Sequence, residues 1–154
     1  MSYVALAQVT LGSSASSVTF SNIPATYRDL VLVIAGTTSG DTNPRLRLNG
    51  DTGNASWVGM WGNGSSTTSA ANTDALLFGS LGTSQSNTIL QIMDYSASDK
   101  HKTVLGRGNQ GAGSVWAFAG RWASTTVVNS ATIVPAIGVN FNTGTTFNLF
   151  GIRA

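Results

Sequence analysis

The chain has 154 residues, 42% of them hydrophobic and only 9% charged, with a formal net charge of +2. That length suffices for one hydrophobic core and not for two, so a single domain over residues 1–154 is expected, its surface dominated by Ser, Thr, Asn and Gly. Eight basic residues stand against six Asp and no Glu, and only Lys100-His101-Lys102 clusters, which excludes the dense basic stripe of a nucleic-acid binder; the lack of cysteine excludes disulfides and thiolate metal sites.

No apolar run approaches the ~20 residues of a membrane span, and Met1 to Gln8 lacks the basic start and long apolar core of a signal peptide. Synthesis in the cytoplasm is therefore expected. Residues 1–10 offer a contact strand or arm, with a first strand from Ala5 to Leu11 and with Tyr3 and Leu6 as candidate contacts to a subunit or partner. A second strand, Ser16 to Phe20, leads to Ile23-Pro24, where proline fixes the turn into Arg28 to Ala35. This third strand is continuously apolar after its charged start, as expected of a central strand covered on both faces or lying in a subunit interface. Val31 and Val33 are the candidate contacts there.

In Arg45-Leu46-Arg47-Leu48 two leucines point one way and two arginines the other, and Asn49-Gly50 ends the strand. Asp51-Thr52-Gly53 matches the aspartic-protease triplet, whose chemistry needs two aspartates sharing a proton, here from a homodimer. That triplet normally emerges from an apolar strand, whereas this one follows a turn, so it reads as a loop in which Asp51 bonds nearby amides. A strand from Ala55 to Met60 precedes the small, polar stretch Gly62 to Ala71, read as an exposed loop. Trp57 and Trp61 beside it, with Asn63 and Ser65, are candidate partner or glycan contacts, because aromatic faces pack on the apolar faces of pyranose rings.

Strands follow at Ala75 to Gly79, Thr88 to Tyr95 and Lys102 to Arg107. Gly106-Arg107-Gly108-Asn109-Gln110-Gly111 fits G-x-G-x-x-G, but an alternating strand follows it rather than a helix, and no acidic residue stands at the ribose-binding distance. It reads as a glycine-rich connection between strands. His101 is the only histidine, so it brings no second imidazole for a zinc site or a relay. Asp41, Asn43, Asn49, Asp51 and Asn54 supply oxygen ligands without the spacing of the twelve-residue calcium loop. Neither a cofactor, a metal nor a catalytic residue is expected, and so no enzyme. Ser114 to Trp122 places Trp116, Phe118 and Trp122 on one face, hence between sheets, and strands at Val127 to Val134 and Thr146 to Arg153 complete the series. Period-two patterning with Gly, Asn, Ser and Pro punctuation predicts an all-β chain, an antiparallel two-sheet β-sandwich of the jelly-roll type. An immunoglobulin-like sandwich would lack its cysteine pair and central tryptophan.

Phe20-Ser21-Asn22-Ile23-Pro24-Ala25-Thr26-Tyr27-Arg28-Asp29-Leu30-Val31-Leu32, with Arg45 to Asp51, resembles a family of small structural proteins of tailed bacteriophages. Ile92-Met93-Asp94-Tyr95, Lys102-Thr103-Val104 and Gly144 to Arg153 extend the resemblance, in the same order, over nearly the whole chain. Members are capsid decoration proteins, head fibres or parts of tail fibres, and the family carries no catalytic motif. The resemblance implies a virion-surface protein. Because a strand begins almost at Met1, without a preceding stalk, the expectation is a decoration (cement) protein, a homotrimer bound to the major capsid protein. The alternative is a fibre domain contacting host-surface glycan.

Overall fold

The computed structural model describes residues 2–73, 75–111, 113–136 and 138–153. It is all-β: β1 (Tyr3–Thr10), β2 (Val18–Phe20), β3 (Asp29–Gly36), β4 (Arg45–Leu48), β5 (Ala55–Gly62), β6 (Thr67–Asn72), β7 (Leu76–Leu77), β8 (Ser86–Met93), β9 (Lys102–Gln110), β10 (Ser114–Trp122), β11 (Ala131–Val134) and β12 (Thr146–Ile152). They form two antiparallel sheets, one of eight strands in the order β1-β12-β3-β8-β9-β10-β5-β6 and one of four in the order β2-β11-β4-β7. The chain passes repeatedly from one sheet to the other, and the two pack as a β-sandwich.

Alternation decides which side chains meet. Leu30, Leu32 and Ile34 of β3, Leu90 and Ile92 of β8, Val104 of β9 and Phe147 and Leu149 of β12 face Phe20, Leu46, Leu48, Leu76 and Ile133 of the small sheet in one buried cluster. Each such side chain withdrawn from water stabilises the fold by about 1.5–3 kcal/mol. Leu46 and Leu48 are buried while Arg45 is exposed and Arg47 half-buried, as the alternating tetrapeptide predicts. Trp116, Phe118 and Trp122 all face the core. β3 lies inside the large sheet, paired on one side with β12 and on the other with β8. Val31, expected at a subunit contact, is 5% exposed within the chain itself, whereas Val33 and Ala35 on the same side of the strand are half-buried.

Three expectations are corrected. The stretch read as a loop holds β6: Asn63 Oδ1 accepts bonds from the Ser65 and Ser66 amides at 3.0 and 2.9 Å, and the tight turn so formed lets residues 67–72 pair with β5. Nothing anchors β6 by apolar burial; it is an edge strand held by backbone pairing. Of the strand or arm expected over residues 1–10, the structure has the strand, β1, paired with β12 from Tyr3↔Ile152 to Thr10↔Thr146, with a register shift between Ala5 and Ala7 at Leu6; Met1 lies outside the described residues.

Gly106 and Gly108, read as parts of a connection, lie within β9 directly opposite Phe118 and Trp116 of β10. A Cβ on Gly106 would stand 2.1 Å from the Phe118 ring, and one on Gly108 2.6 Å from the Trp116 indole. These glycines are where the two rings lie down across the sheet. Finally, Lys102 is no part of a surface basic cluster: it is fully buried, and its Nζ donates to the carbonyls of Ala97, Lys100 and Thr125 at 2.6, 3.0 and 3.3 Å. Burial holds its pKa below the usual lysine value.

Candidate functional site

Register places two unlike surfaces on the large sheet. On its inner side Trp61 of β5 pairs with Trp116, and Trp57 pairs with Gly120, so both β5 tryptophans share the face of the core. The small sheet ends at the two-residue β7 and leaves the β5–β6 end of that face open. A groove of about 240 Å³ results, with Trp57, Trp61, Trp116 and Phe118 along it and Asn43, Ser80, Gln110 and Ser114 contributing polar groups. At Gly59 the missing side chain makes room for the Trp57 ring, which approaches to 2.8 Å of where a Cβ would stand. None of the described residues lining it is charged. Trp61 is 41% exposed, whereas Trp57 is half-buried against the core.

The groove holds a polar anomaly. The indole N–H groups of Trp57 and Trp116 are buried without a hydrogen-bond acceptor, as is Thr88 Oγ1 elsewhere in the interior. A buried donor left unpaired costs about 1–3 kcal/mol. Gln110, by contrast, is held: its Oε1 accepts from Ser80 Oγ at 3.2 Å and its Nε2 donates to Asp41 at 2.8 Å.

Among the described residues, none forms a second layer over the outer side of β5, β10, β9 and β8. Val58 of β5 lies in one row with Ala119 of β10 and Leu105 of β9, and Met60 in the next with Ala117, Arg107, Ile89 and Val33. Met60 is 65% and Val115 64% exposed, and Val58, Leu105 and Ile89 are exposed with them. Among the described residues of β5, β10, β9 and β8, the only charged side chains on this face are Arg107 and Arg121. Exposed apolar side chains gathered on one sheet face are a common feature of interaction surfaces.

The other expected contact residues are dispersed. Tyr3 is exposed on the β1 edge, edge-to-face with Phe150 at 6.3 Å between ring centres. Leu6 packs against the core from the β1 bulge, while Val33 is half-buried on the outer face beside Ile89 and Arg107. Asn63 serves the β5–β6 turn and, like Ser65, does not line the groove. Sequence reading missed Asn43, Ser80, Gln110 and Ser114, which come from separate segments. It also missed the outer face, although Val58-Gly59-Met60-Trp61 and Thr88-Ile89-Leu90 carry apolar residues at both parities, which is the mark of a strand with a partner on each side.

Asp51 holds its loop together: its carboxylate accepts from the Gly53 amide at 2.9 Å, Asn54 Nδ2 at 2.9 Å and Trp122 Nε1 at 2.8 Å. Those donors, led by the Gly53 amide, lower its pKa from 3.8 to about 2. A depressed carboxylate pKa stabilises the fold fully above 3.8 and ceases to do so as pH falls through about 2. Asp51→Asn is therefore expected to flatten the loss of stability over this acid range, by about 1 kcal/mol once solvent screening is allowed for, read as a smaller shift in urea midpoint. Asp29 contributes in the same direction. Burial pushes its pKa up, but bonds from the Asp94 amide, Arg28 and Gln91 outweigh that and hold it below the usual value.

Among the described residues no group of three or more His, Cys, Asp or Glu is placed to hold a metal ion. Compared with known proteins, the chain matches no family model and no curated sequence.

Proposed function

We infer that this jelly-roll-type sandwich is a structural protein of a tailed-bacteriophage particle, a capsid decoration protein that binds the outer capsid surface and stabilises it. The observation that carries this reading is the exposed apolar outer face of the large sheet, from Val58 and Met60 across to Ile89. Such a face is costly in water and gains by being covered, at about 25 cal/mol per Å². Its two arginines and lack of acidic residues suit a partner surface that offers carbonyls and carboxylates around an apolar centre. The partner in this proposal is the major capsid protein, and the copies associate as a homotrimer around a symmetry axis. Repetition over the particle makes modest single contacts sufficient through avidity. The resemblance to phage structural proteins supports the same reading.

Imaging purified virions that carry a label on this protein tests it. Signal distributed over the capsid lattice is the expected result. Signal confined to the tail overturns decoration and favours a fibre domain.

A further inference from the structure

We propose that the groove between β5 and β7 is a binding site for one neutral pyranose ring of a glycan, with Trp61 as the stacking platform. This goes beyond the decoration reading and does not rest on it, since the groove lies on the opposite side of the sheet from the outer face. Three observations converge. The exposed indole of Trp61 stands beside the Trp57 ring, which lies over Gly59, so the groove offers aromatic surface on which a flat, weakly polar ring face can pack. The polar groups around the groove are amides and hydroxyls, those of Asn43, Ser80, Gln110 and Ser114, and none of the described lining residues is charged. That complement matches a ring bearing several neutral hydroxyls and discriminates against phosphate, carboxylate or ammonium ligands.

The third observation is the pair of unsatisfied indole N–H groups on Trp57 and Trp116, of which Trp116 is 6% exposed. Both residues line the groove with their N–H groups enclosed beside it, so a ring hydroxyl reaches these donors only if the indoles shift, and it then supplies the acceptor they lack. At about 240 Å³ the groove is smaller than the ~300–1,000 Å³ of drug-sized sites and suits a single ring. A proline-rich peptide also docks on aromatic surfaces, but it needs an extended track and offers few hydroxyls to the amides around this site.

Saturation-transfer NMR on the whole chain, with the methyl glycosides of glucose, galactose, mannose and N-acetylglucosamine as probes, tests the proposal. At least one glycoside is expected to receive saturation at its ring protons and to shift tryptophan emission. Trp61→Ala should weaken that binding at least about tenfold. Trp61→Tyr should retain most of it, and Ile89→Ser, on the other side of the sheet, should leave it unchanged. Should Trp61→Ala fail to fold, Asn43→Ala, which removes an exposed amide, decides instead with an expected loss of about threefold to tenfold. Absence of binding by all four glycosides, full binding in the folded Trp61→Ala or in Asn43→Ala, or occupation by a proline-rich peptide in their place overturns the proposal.

Discussion

If the outer face docks on a capsid as proposed, glutamates at Val58 and Leu105 together are expected to abolish that binding while leaving the protein's own unfolding free energy within about 0.5 kcal/mol of wild type. The two positions lie in one row of the outer face, separated by Ala119, and both side chains already stand in water in the isolated domain. Charging them removes nothing from the core between the sheets. Against a covering partner the same carboxylates lose their hydration without gaining a counter-charge, which costs several kcal/mol unless they are paired. A loss of about 3 kcal/mol per contact is more than a hundredfold in affinity, and it compounds wherever copies bind in concert. Co-sedimentation of the variant with capsids lacking the protein provides the measurement. Retained co-sedimentation would show that the capsid is engaged by some other surface.

Alanine at Gly106 is expected to lower stability by about 2–3 kcal/mol and the melting temperature by roughly 5–10 °C. The added methyl would stand 2.1 Å from Phe118 and 2.7 Å from Leu90, both within the core, so both side chains must shift out of close packing to admit it. Gly12→Ala, where a Cβ meets nothing within 4 Å, is the control and should be near neutral. Phe118→Leu vacates part of the disputed space, so combining it with Gly106→Ala should cost less than the sum of the single changes. A coupling of about 1 kcal/mol or more in a double-mutant cycle of chemical denaturation is the expected result. Additive costs would mean that the glycine serves the strand for another reason.

Much of the sandwich is legible in the sequence because alternation reports which side of a strand is dry. Arg45-Leu46-Arg47-Leu48 and the Trp116, Phe118, Trp122 series need no knowledge of their neighbours to be assigned a face. What escapes depends on partners distant in the chain. β6 carries no apolar stripe because it lies at the edge and is exposed along nearly its whole length. Gly106 and Gly108 have meaning only once β10 is laid beside them. Lys102 is buried because three carbonyls from surrounding loops converge on its ammonium group, and no local pattern announces such a cage. The candidate groove is half visible: Trp57 and Trp61 stand out by residue type, but Trp116 reads as core alone, and the amides and hydroxyls are brought together only by the folded chain.

The position of β12 has a consequence for the order in which the molecule is made. It lies between β1 and β3, so the first and third strands wait beside an empty slot until residues 146–152 have been synthesised. Until then the backbone amides and carbonyls of both strands, and the inner ends of the core around Ile34 and Leu32, are open to other chains. Closure joins segments from opposite ends of the sequence and is correspondingly slow. A ribosome that stalls before Thr146 thus releases a template for strand exchange, and the yield of native protein depends on adding β12 before two unfinished sheets meet.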